Sequence, residues 1–266
     1  MKALNIAHRG GAALMLENTL AAFADAVARG CDGAELDVQL SRDGVVVVHH
    51  DFRLMADLAR KDGARLEGHP PRIKDLTWAE LQQFDVGSPR SGSAYAQKHP
   101  LIRVLPDAKV PSLEEVVALA RNAPRPFLLM VELKCDASDD SADPVLLAQA
   151  AYDVCAGLGD QVIFVGFDWR ALLSLVARGA SCWFTTDRLS GDARPVIDAI
   201  ANAGGQGWFP NFPDATPDNV AYARSKGLKI GAWTVNDPAE MARFKGLDAI
   251  CTDRPDLLAG LLASLA

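Results

Sequence analysis

Apolar residues along this chain fall into short runs that alternate with longer stretches of helical periodicity. The runs have the length and the β-branched or aromatic content of buried strands. Eight such strands are predicted, at residues 3–8, 33–40, 127–134, 161–167, 181–187, 205–212, 228–235 and 248–253. Several of the helical stretches between them begin at a capping Ser or Asp and end in glycine. Examples are residues 17–30, 112–123, 143–159 and 237–246.

This alternation of strands and helices predicts a parallel sheet joined by crossover helices. Eight repeats within 266 residues favour one closed (β/α)8 barrel of the TIM type, formed by residues 1–266 as a single domain. An open, doubly wound sheet is the alternative fold. It would be favoured by a Gly-x-Gly-x-x-Gly motif after the first strand, and the sequence has none there.

One interval, at about residues 52–110, interrupts the repeat and is rich in Gly, Pro, Arg and Lys. It contains one predicted helix, "DLTWAELQQFD", at residues 75–85. Because it follows the second strand, we expect a small insertion on the carboxyl-end face of the barrel, where barrel active sites lie. An ordered loop without a catalytic role is the alternative.

The composition excludes several classes of partner. The net charge is −7 and no basic cluster is visible, so binding to nucleic acid or to an anionic membrane surface is not expected. The longest aliphatic run, residues 45–48, is too short to span a membrane. A strand is predicted almost from the first residue, which argues against a secretory signal. The five cysteines are scattered and form no Cys-x-x-Cys pair, as expected of a cytoplasmic protein with reduced thiols.

Ionisable and hydrogen-bonding residues collect where the predicted strands end. Barrel strands usually turn Val, Ile or Leu inward, so several charged groups at one end of the strands call for an explanation. The carboxyl ends of parallel strands meet on one face of a barrel, so these side chains are expected to lie near one another. They are His8, Arg9, Glu35, Asp37, Glu132, Lys134, Asp168, Asn236 and Asp253.

Glu35 and Asp37 lie two residues apart on the second strand. This spacing places both carboxylates on one face of the strand, about 7 Å apart along the chain. The intervening Ala34, Leu36 and Val38 suit the outer face, which packs against helices. The two acids are therefore expected to face the barrel interior.

A buried carboxylate without a partner takes up a proton or destabilises the fold. With Glu132 as a third acid, the two carboxylates of the second strand indicate a site for a hard divalent cation, Mg²⁺ or Ca²⁺. A structural ion network with Arg9 and Lys134 is the alternative interpretation.

The histidines offer general acid and base groups near neutral pH. His8 ends the first strand. His49 and His50 are adjacent, so in an extended segment only one of the two faces the pocket, and the spacing does not choose between them. His69 and His99 lie in loops with flanking prolines, and no role is expected for them. The Walker A, Gly-x-Ser-x-Gly and His-Glu-x-x-His motifs are absent from the sequence.

The order of motifs along nearly the whole chain resembles that of the glycerophosphodiester phosphodiesterases. The combination is specific, because "HRG", "ExD", "HD" and "ELK" in this order would be hard to assemble by chance. The motifs are "AHRGG", "LENTLAAF", "GAELDVQLSRDGVVVVHHD", "KDLTWAELQQFDVG", "VPSLEEVV", "VELK", "WTVN" and "TDRPD".

The resemblance implies a (β/α)8 barrel with a small segment inserted after the second strand. It implies that Glu35, Asp37 and Glu132 are metal ligands. It also implies that His8 and His50 are the acid–base pair, since the second histidine of the doublet matches the family's His-Asp motif.

The same resemblance implies contacts to the substrate. Arg9 would contact the phosphate, Lys134 would lie near the site and Trp233 would form a wall of the pocket. Glu17 and Asn18 match the Glu-Asn-Thr motif that borders the site.

Two departures from the family's pattern concern loops. Leu16 stands where the family often has proline, which should alter loop stiffness more than chemistry. Residues 52–60, "FRLMADLAR", replace the family's usual stretch after His-Asp and affect how this loop meets the leaving alcohol.

The function implied is metal-dependent hydrolysis of small glycerophosphodiesters to glycerol 3-phosphate and an alcohol, in glycerol and lipid metabolism. A phospholipase D-like lyase that acts on lysophospholipids and yields a cyclic phosphate is the first alternative. A barrel that binds a phosphorylated ligand without catalysis is the second. The sequence gives no oligomeric state.

Overall fold

The computed structural model describes residues 2–136 and 142–264. Its strands are β1 (Leu4–His8), β2 (Gly33–Leu40), β3 (Val46–Val48), β4 (Arg60–Lys61), β5 (Ala64–Arg65), β6 (Phe84–Asp85), β7 (Leu128–Leu133), β8 (Val162–Gly166), β9 (Cys182–Thr186), β10 (Gly207–Pro210), β11 (Lys229–Ala232) and β12 (Ala249–Thr252). Its α-helices are α1 (Leu20–Ala28), α2 (Trp78–Leu81), α3 (Ala94–Lys98), α4 (Leu113–Arg121), α5 (Pro144–Cys155), α6 (Trp169–Val176), α7 (Arg194–Asn202), α8 (Pro217–Ser225), α9 (Pro238–Phe244) and α10 (Pro255–Ala263).

Eight parallel strands close into a barrel, which confirms the predicted fold. Their order around the barrel is β1, β2, β7, β8, β9, β10, β11 and β12, and β12 pairs with β1 to close the ring. Each of the eight predicted runs contains one of these strands. The run predicted at 33–40 coincides with β2, and the ends of the other runs extend beyond the observed strands by at most three residues, because local periodicity does not mark where pairing stops.

Two apolar layers hold the barrel together. Ala34, Leu36 and Val38 of β2 face outward into the layer between the strands and the helices, where Phe23 of α1 also lies. A smaller cluster fills the barrel interior and consists of Ile6, Met130, Ile163, Val165, Trp183, Phe209, Ala249 and Cys251. Side chains alternate along β2, so Glu35 and Asp37, which lie between these three residues, face the barrel interior.

The segment between β3 and α4 forms a small subassembly with its own core. β3 pairs antiparallel with the end of β2, and β4, β5 and β6 form a separate three-stranded sheet. A third apolar cluster, separate from the two layers of the barrel, consists of Val47, Leu54, Ala59, Ile73, Leu81, Phe84, Val86 and Val110. The segment thus has a small core of its own.

The helix predicted at residues 75–85 is shorter in the structure. Only Trp78–Leu81 is α-helical, and its start is fixed by a capping box between Thr77 and Glu80. Phe84 and Asp85 instead pair with β4. Strand pairing within the segment therefore outweighs the helical periodicity of these last residues.

The inserted segment is tied to the loop that follows β1. The amide of Arg103 donates to the carbonyl of Leu14 at 3.0 Å, and Met15 forms a β-bridge with Arg103. The segment consequently lies against the carboxyl-end face of the barrel. None of the helices in the described residues is both long and apolar enough to cross a membrane.

Candidate active site

Three acids converge at the carboxyl ends of β2 and β7. The strand register places Asp37 beside Glu132, and Glu35 lies two residues earlier on the same face of β2. One ligand oxygen from each of the three carboxylates lies within 4.8 Å of the others. Glu35 and Asp37 are almost fully buried, at 2% and 1% exposure. This is the inward placement expected from the sequence.

The pKa values of the two acids of β2 are shifted in opposite directions. Burial raises the pKa of Glu35 well above its usual value, and the negative charges of Asp37 and Glu132 act in the same direction. Burial also acts to raise the pKa of Asp37. The positive charges of Arg9 and His50 outweigh that effect and hold the pKa of Asp37 far below its usual value. The negative charge of Asp37 is therefore well compensated by its surroundings, whereas that of Glu35 is poorly compensated.

Arg9 connects the acids of this site. Its Nη1 donates to Oε1 of Glu17 at 2.8 Å, and its Nε lies 3.3 Å from Oδ2 of Asp37. Its backbone amide donates to Oε2 of Glu35 at 3.1 Å. The hydroxyl of Tyr95, from the inserted segment, donates to the other oxygen of Glu17 at 3.1 Å. Burial acts to lower the pKa of Arg9, but the surrounding carboxylates outweigh it and raise that pKa.

The backbone around Arg9 is held in an uncommon conformation. Arg9 has φ +50° and Asn18 has φ +55°, both in the left-handed region that non-glycine residues rarely adopt. Gly10 follows at φ +85°, and a Cβ there would lie 2.7 Å from Cβ of Ala22 in α1. The side-chain amide of Asn18 donates to Asp37 at 2.8 Å. The tightly packed turn after β1 thus places the side chains of Arg9 and Asn18 against Asp37.

A carboxylate orients His8. Nδ1 of His8 lies 2.6 Å from Oδ1 of Asp253, which directly follows β12. The amide of Asn236 donates to Oδ2 of Asp253 at 2.7 Å. The proton is therefore assigned to Nδ1, and Nε2 of His8 points toward Glu35, 3.7 Å from its Oε2.

His50 has a similar partner. Its Nδ1 lies 2.6 Å from Oδ1 of Asp51, and the imidazole is partly exposed. His49 is buried and its Nε2 lies 3.2 Å from the carbonyl oxygen of Arg53. Burial lowers the pKa of His49, and the charge of Asp51 and the hydrogen bond to Arg53 oppose it without cancelling it. His50 lies close enough to Asp37 to lower the pKa of that acid, whereas Nε2 of His49 is directed at a backbone carbonyl.

The amide of Gln39 fixes the His49–Asp51 turn. Its Nε2 donates to the carbonyl oxygens of His49 at 2.7 Å, His50 at 3.3 Å and Asp51 at 2.8 Å. Gln39 lies two residues after Asp37 on β2 and is buried. The strand that carries the acids thereby also positions the histidine turn.

The remaining predicted residues lie at the rim. Nζ of Lys134 lies 2.8 Å from Glu132 and 3.7 Å from Asp37. Burial acts to lower the pKa of Lys134, but these two carboxylates outweigh it and raise the pKa. The indole of Trp233 donates to the carbonyl of Phe209, and its ring meets the ring of Phe167 edge-on at 5.5 Å.

The three acids fit a hard divalent cation. Oε1 of Glu35 is buried and has no hydrogen-bond partner within the described part of the chain. Such an oxygen is costly in a folded protein unless a cation binds to it. Carboxylates are the preferred ligands of Mg²⁺ and Ca²⁺, and the three oxygens are close enough to share one ion. Arg9 and Lys134 compensate Asp37 and Glu132 but leave this oxygen of Glu35 unpaired.

Sequence reasoning did not assign partners to the imidazoles or find Tyr95. Asp253 was visible only as a charged residue at a strand end, and its contact with His8 joins residues 245 positions apart. Tyr95 belongs to no motif, so its contact with Glu17 had no signal in the sequence. His99, for which no role was expected, is buried and its ring contacts the ring of Tyr95, with the centroids 4.6 Å apart and the planes tilted by 38°.

Comparison with known proteins gives one consistent family. The model of the glycerophosphoryl diester phosphodiesterase family matches residues 8–257. The chain is 32% identical over 263 residues to the uncharacterized protein YqiK of Bacillus subtilis, covering 96% of this chain and 97% of that protein. It is 28% identical over 264 residues to a glycerophosphodiester phosphodiesterase of Caldanaerobacter subterraneus, covering 98% of both.

Solved structures agree in fold. A putative glycerophosphoryl diester phosphodiesterase from Silicibacter pomeroyi superposes with a TM-score of 0.90 at 31% identity, over 99% of this chain and 94% of that one. A phosphodiesterase from Oleispira antarctica, in complex with the product sn-glycerol-3-phosphate, gives a TM-score of 0.75 at 24% identity, over 97% of this chain and 96% of that one. The second likeness shows the shared fold.

Proposed function

Because this chain belongs to the glycerophosphoryl diester phosphodiesterase family and is thereby an enzyme that hydrolyses glycerophosphodiesters, we propose that it does so with a bound divalent cation, Mg²⁺ or Ca²⁺. The products are glycerol 3-phosphate and an alcohol. One observation carries the metal-dependent part of this proposal. Three carboxylates meet within 4.8 Å, and one of their buried oxygens has no partner among the described residues.

Each predicted site residue has a place in this proposal. Glu35, Asp37 and Glu132 hold the cation. When bound, the cation supplies electrostatic stabilisation of the charge that develops on the phosphoryl oxygens. Arg9 and Lys134 add positive charge beside the phosphoryl group. Each forms an ion pair with a carboxylate, Arg9 with Glu17 and Lys134 with Glu132, which fixes its position.

Two further residues border the substrate without taking part in proton transfer. Glu17 acts through Arg9, since its Oε1 accepts the hydrogen bond that orients the guanidinium. Trp233 forms an apolar wall, with its indole nitrogen committed to a backbone carbonyl.

His8 and His50 move the protons. Asp253 holds the proton on Nδ1 of His8 and leaves Nε2 free to accept one. Asp51 lies against Nδ1 of His50 in the same way, so Nε2 is the nitrogen through which His50 takes up or gives its second proton. One imidazole removes a proton from the attacking oxygen, and the other gives a proton to the leaving alkoxide. The attacking oxygen is that of water or of the glycerol 2-hydroxyl, and the two routes differ in whether a cyclic phosphate forms.

The proposal is tested by release of free glycerol 3-phosphate from glycerophosphodiesters. Activity is measured after removal of divalent ions with EDTA, and again after Mg²⁺ or Ca²⁺ is restored in excess. We expect activity to vanish with EDTA and to return with one of the two ions. Full activity in EDTA would refute the metal assignment, and a cyclic phosphate as the final product would refute hydrolysis.

The acid–base role is tested in the same assay. Replacing His50 with Ala should lower kcat by about 10²- to 10⁴-fold, because an acid–base group contributes that much to proton transfer. The matched variant is His49→Ala, whose imidazole faces a backbone carbonyl. An unchanged kcat in His50→Ala would exclude that residue from the mechanism.

Two expectations from the sequence stay predictions. One is that residues 1–266 act as a single catalytic domain with an insertion at about 52–110. The other is the cytoplasmic location, for which the cysteine content is the argument.

A further inference from the structure

A cavity of about 470 Å³ opens at the amino-terminal end of the barrel, opposite the three acids. Each described residue that lines it lies within two residues of the start of a barrel strand, as Leu4 does in β1 and Trp183 in β9. Active sites of such barrels lie at the carboxyl ends of the strands. This cavity therefore has no part in the proposed reaction.

The inner surface of the cavity is apolar. It is formed by Leu4, Leu128, Ile163 and Trp183. Leu4 is 37% exposed, whereas Ile6, the next residue on the same face of β1, is fully buried. The apolar interior of the barrel is thus open to solvent at this end. A ligand with an apolar body would cover Leu4 and gain from removing that surface from water.

The indole of Trp183 is held in place by close packing. A Cβ at Gly207 would lie 2.5 Å from its ring, and a Cβ at Gly231 would lie 3.1 Å from it. Only glycine at these two positions leaves room for the ring. Trp183 is 4% exposed, so its orientation is fixed before any ligand binds.

The indole N–H of Trp183 has no acceptor. Trp169, Trp208 and Trp233 each donate to an oxygen of the protein. The nitrogen of Trp183 donates to no atom of the described residues, and it is not sealed from solvent. Because Trp183 has so little exposed surface and lines the cavity, this nitrogen faces the cavity. Buried indole N–H groups usually have a partner, so the occupant of the cavity must supply an acceptor.

The charges at the rim favour neither sign. Lys229 pairs with Asp248 at 3.4 Å, and the other oxygen of Asp248 accepts from the amide of Ile230 at 3.0 Å. Lys2 and Asp160 add one charge of each sign. The rim is therefore neutral overall, and the need of the indole for an acceptor decides which polar group fits.

We propose that this cavity is a binding site for a small amphiphile, an aliphatic chain that ends in a hydrogen-bond acceptor. The chain covers Leu4, Leu128 and Ile163, and a carboxylate or hydroxyl oxygen accepts from Nε1 of Trp183. An alkylammonium ion of the same length meets the same apolar surface but offers the indole no lone pair. The volume is within the range of small-molecule sites in proteins.

The test follows the indole N–H signals of the five tryptophans in a ¹H–¹⁵N correlation NMR spectrum of the whole chain. Octanoate, 1-octanol and octylamine are added separately at pH 7, since they share one chain length and differ in the end group. Butanoate is the short-chain reference. Trp183→Phe identifies the signal of Trp183, and Trp233→Phe identifies that of the tryptophan beside the three acids. The spectra are recorded in EDTA, so that no cation draws the carboxylates to those acids.

We expect octanoate and 1-octanol to shift the signal of Trp183 in a saturable manner and to leave that of Trp233 in place. Octylamine should shift it much less. Butanoate should bind at least about tenfold more weakly than octanoate, because each buried methylene group contributes to affinity. In Leu4→Thr the dissociation constant for octanoate should rise by about two- to tenfold, because apolar contact is lost. Leu101→Thr, at a position that is 62% exposed and does not line the cavity, is the matched control and should leave it unchanged.

Several results would overturn the proposal. If none of these compounds moves the signal of Trp183, the cavity holds water only. Equal shifts with octanoate and octylamine would refute the need for an acceptor, and a response at Trp233 alone would place the carboxylate at the acids. If Trp183→Phe fails to fold, the indole signal that octanoate moves is followed in Leu4→Thr and Leu101→Thr, and equal dissociation constants refute the site. Release of glycerol 3-phosphate does not enter this measurement, so the proposed function is tested separately.

Discussion

The substitution Asp253→Asn tests whether the carboxylate of Asp253 orients His8 for proton transfer. In the structure, Oδ1 of Asp253 lies 2.6 Å from Nδ1 of His8, and Oδ2 accepts from Asn236 at 2.7 Å. The substitution keeps the size and shape of the side chain but removes its charge. It also introduces an amide that can donate to Nδ1, which would move the imidazole proton to Nε2. His8 would then present a donor where the reaction needs an acceptor.

The size of the effect follows from the electrostatics. Burial acts to raise the pKa of Asp253, but its hydrogen bond to His8 and the charge of His8 outweigh this and lower the pKa to about 2. The difference from the ordinary value of 3.8 corresponds to roughly 2 kcal/mol of net stabilisation of the carboxylate, which His8, Asn236 and Arg9 supply against the cost of burial. Loss of a stabilisation of this size slows a step that places a proton on His8 by at most about 30-fold. The tautomer change brings the expected loss in kcat toward the range of about 10²- to 10⁴-fold.

The assay is kcat for glycerol 3-phosphate release at saturating substrate and metal, with the thermal unfolding midpoint as a check on the fold. We expect KM to change much less than kcat, because Asp253 touches the imidazole and not the cation ligands. Asp256→Asn is the matched control, since Asp256 pairs with Arg254 close by in sequence. A kcat for Asp253→Asn within threefold of the wild-type value would refute the assigned role of the pair.

Three further predictions concern the supports of the site. Tyr95→Phe should raise KM by up to about tenfold with little change in kcat, since a hydrogen bond to a charged group contributes about 1.5 kcal/mol or more. Tyr222→Phe, which loses a similar tyrosine–carboxylate bond on α8, should leave KM unchanged, and equal effects would contradict the prediction. Gly10→Ala should lower the free energy of unfolding in denaturant by roughly 1–3 kcal/mol, because φ is +85° and the methyl group meets α1; an unchanged midpoint would contradict this. Gln39→Leu should leave buried carbonyls without a donor and speed hydrogen exchange at residues 49–51, and protection equal to wild type would contradict it.

The barrel and the inward acids could be predicted because they depend on short-range order. Strand and helix periodicities span a few residues, and the two-residue spacing of Glu35 and Asp37 fixes their common face wherever β2 pairs. Glu132 enters the same group because all parallel strands present their carboxyl ends on one side. The helix predicted at 75–85 is too long because the prediction rests on local periodicity alone. In the structure Phe84 pairs with β4, a strand more than twenty residues earlier in the chain.

The partners of the imidazoles and of Glu17 could not be predicted from spacing. The contact of His8 with Asp253 requires the ring to close between β12 and β1, which the sequence does not encode in any short segment. Tyr95 reaches Glu17 across 78 residues, and its position depends on the packing of the inserted segment against the loop after β1. Contacts of this kind arise from tertiary packing, so a single sequence shows the residue types but not the pairs.

Glu35 and Asp37 differ in their partners, and this difference offers a test between a structural ion network and a cation site. Both residues sit on one face of one strand and are equally buried. Asp37 is within reach of Arg9, Lys134 and the amide of Asn18. Glu35 receives one backbone amide and a distant imidazole, and its other oxygen has no donor among the described residues. If the cluster were purely structural, replacing Glu35 with Gln would relieve its burial cost and stabilise the protein. If it holds a cation, the same change should abolish the rise in unfolding midpoint caused by added Mg²⁺ or Ca²⁺, because ligand binding stabilises only a fold that can bind it.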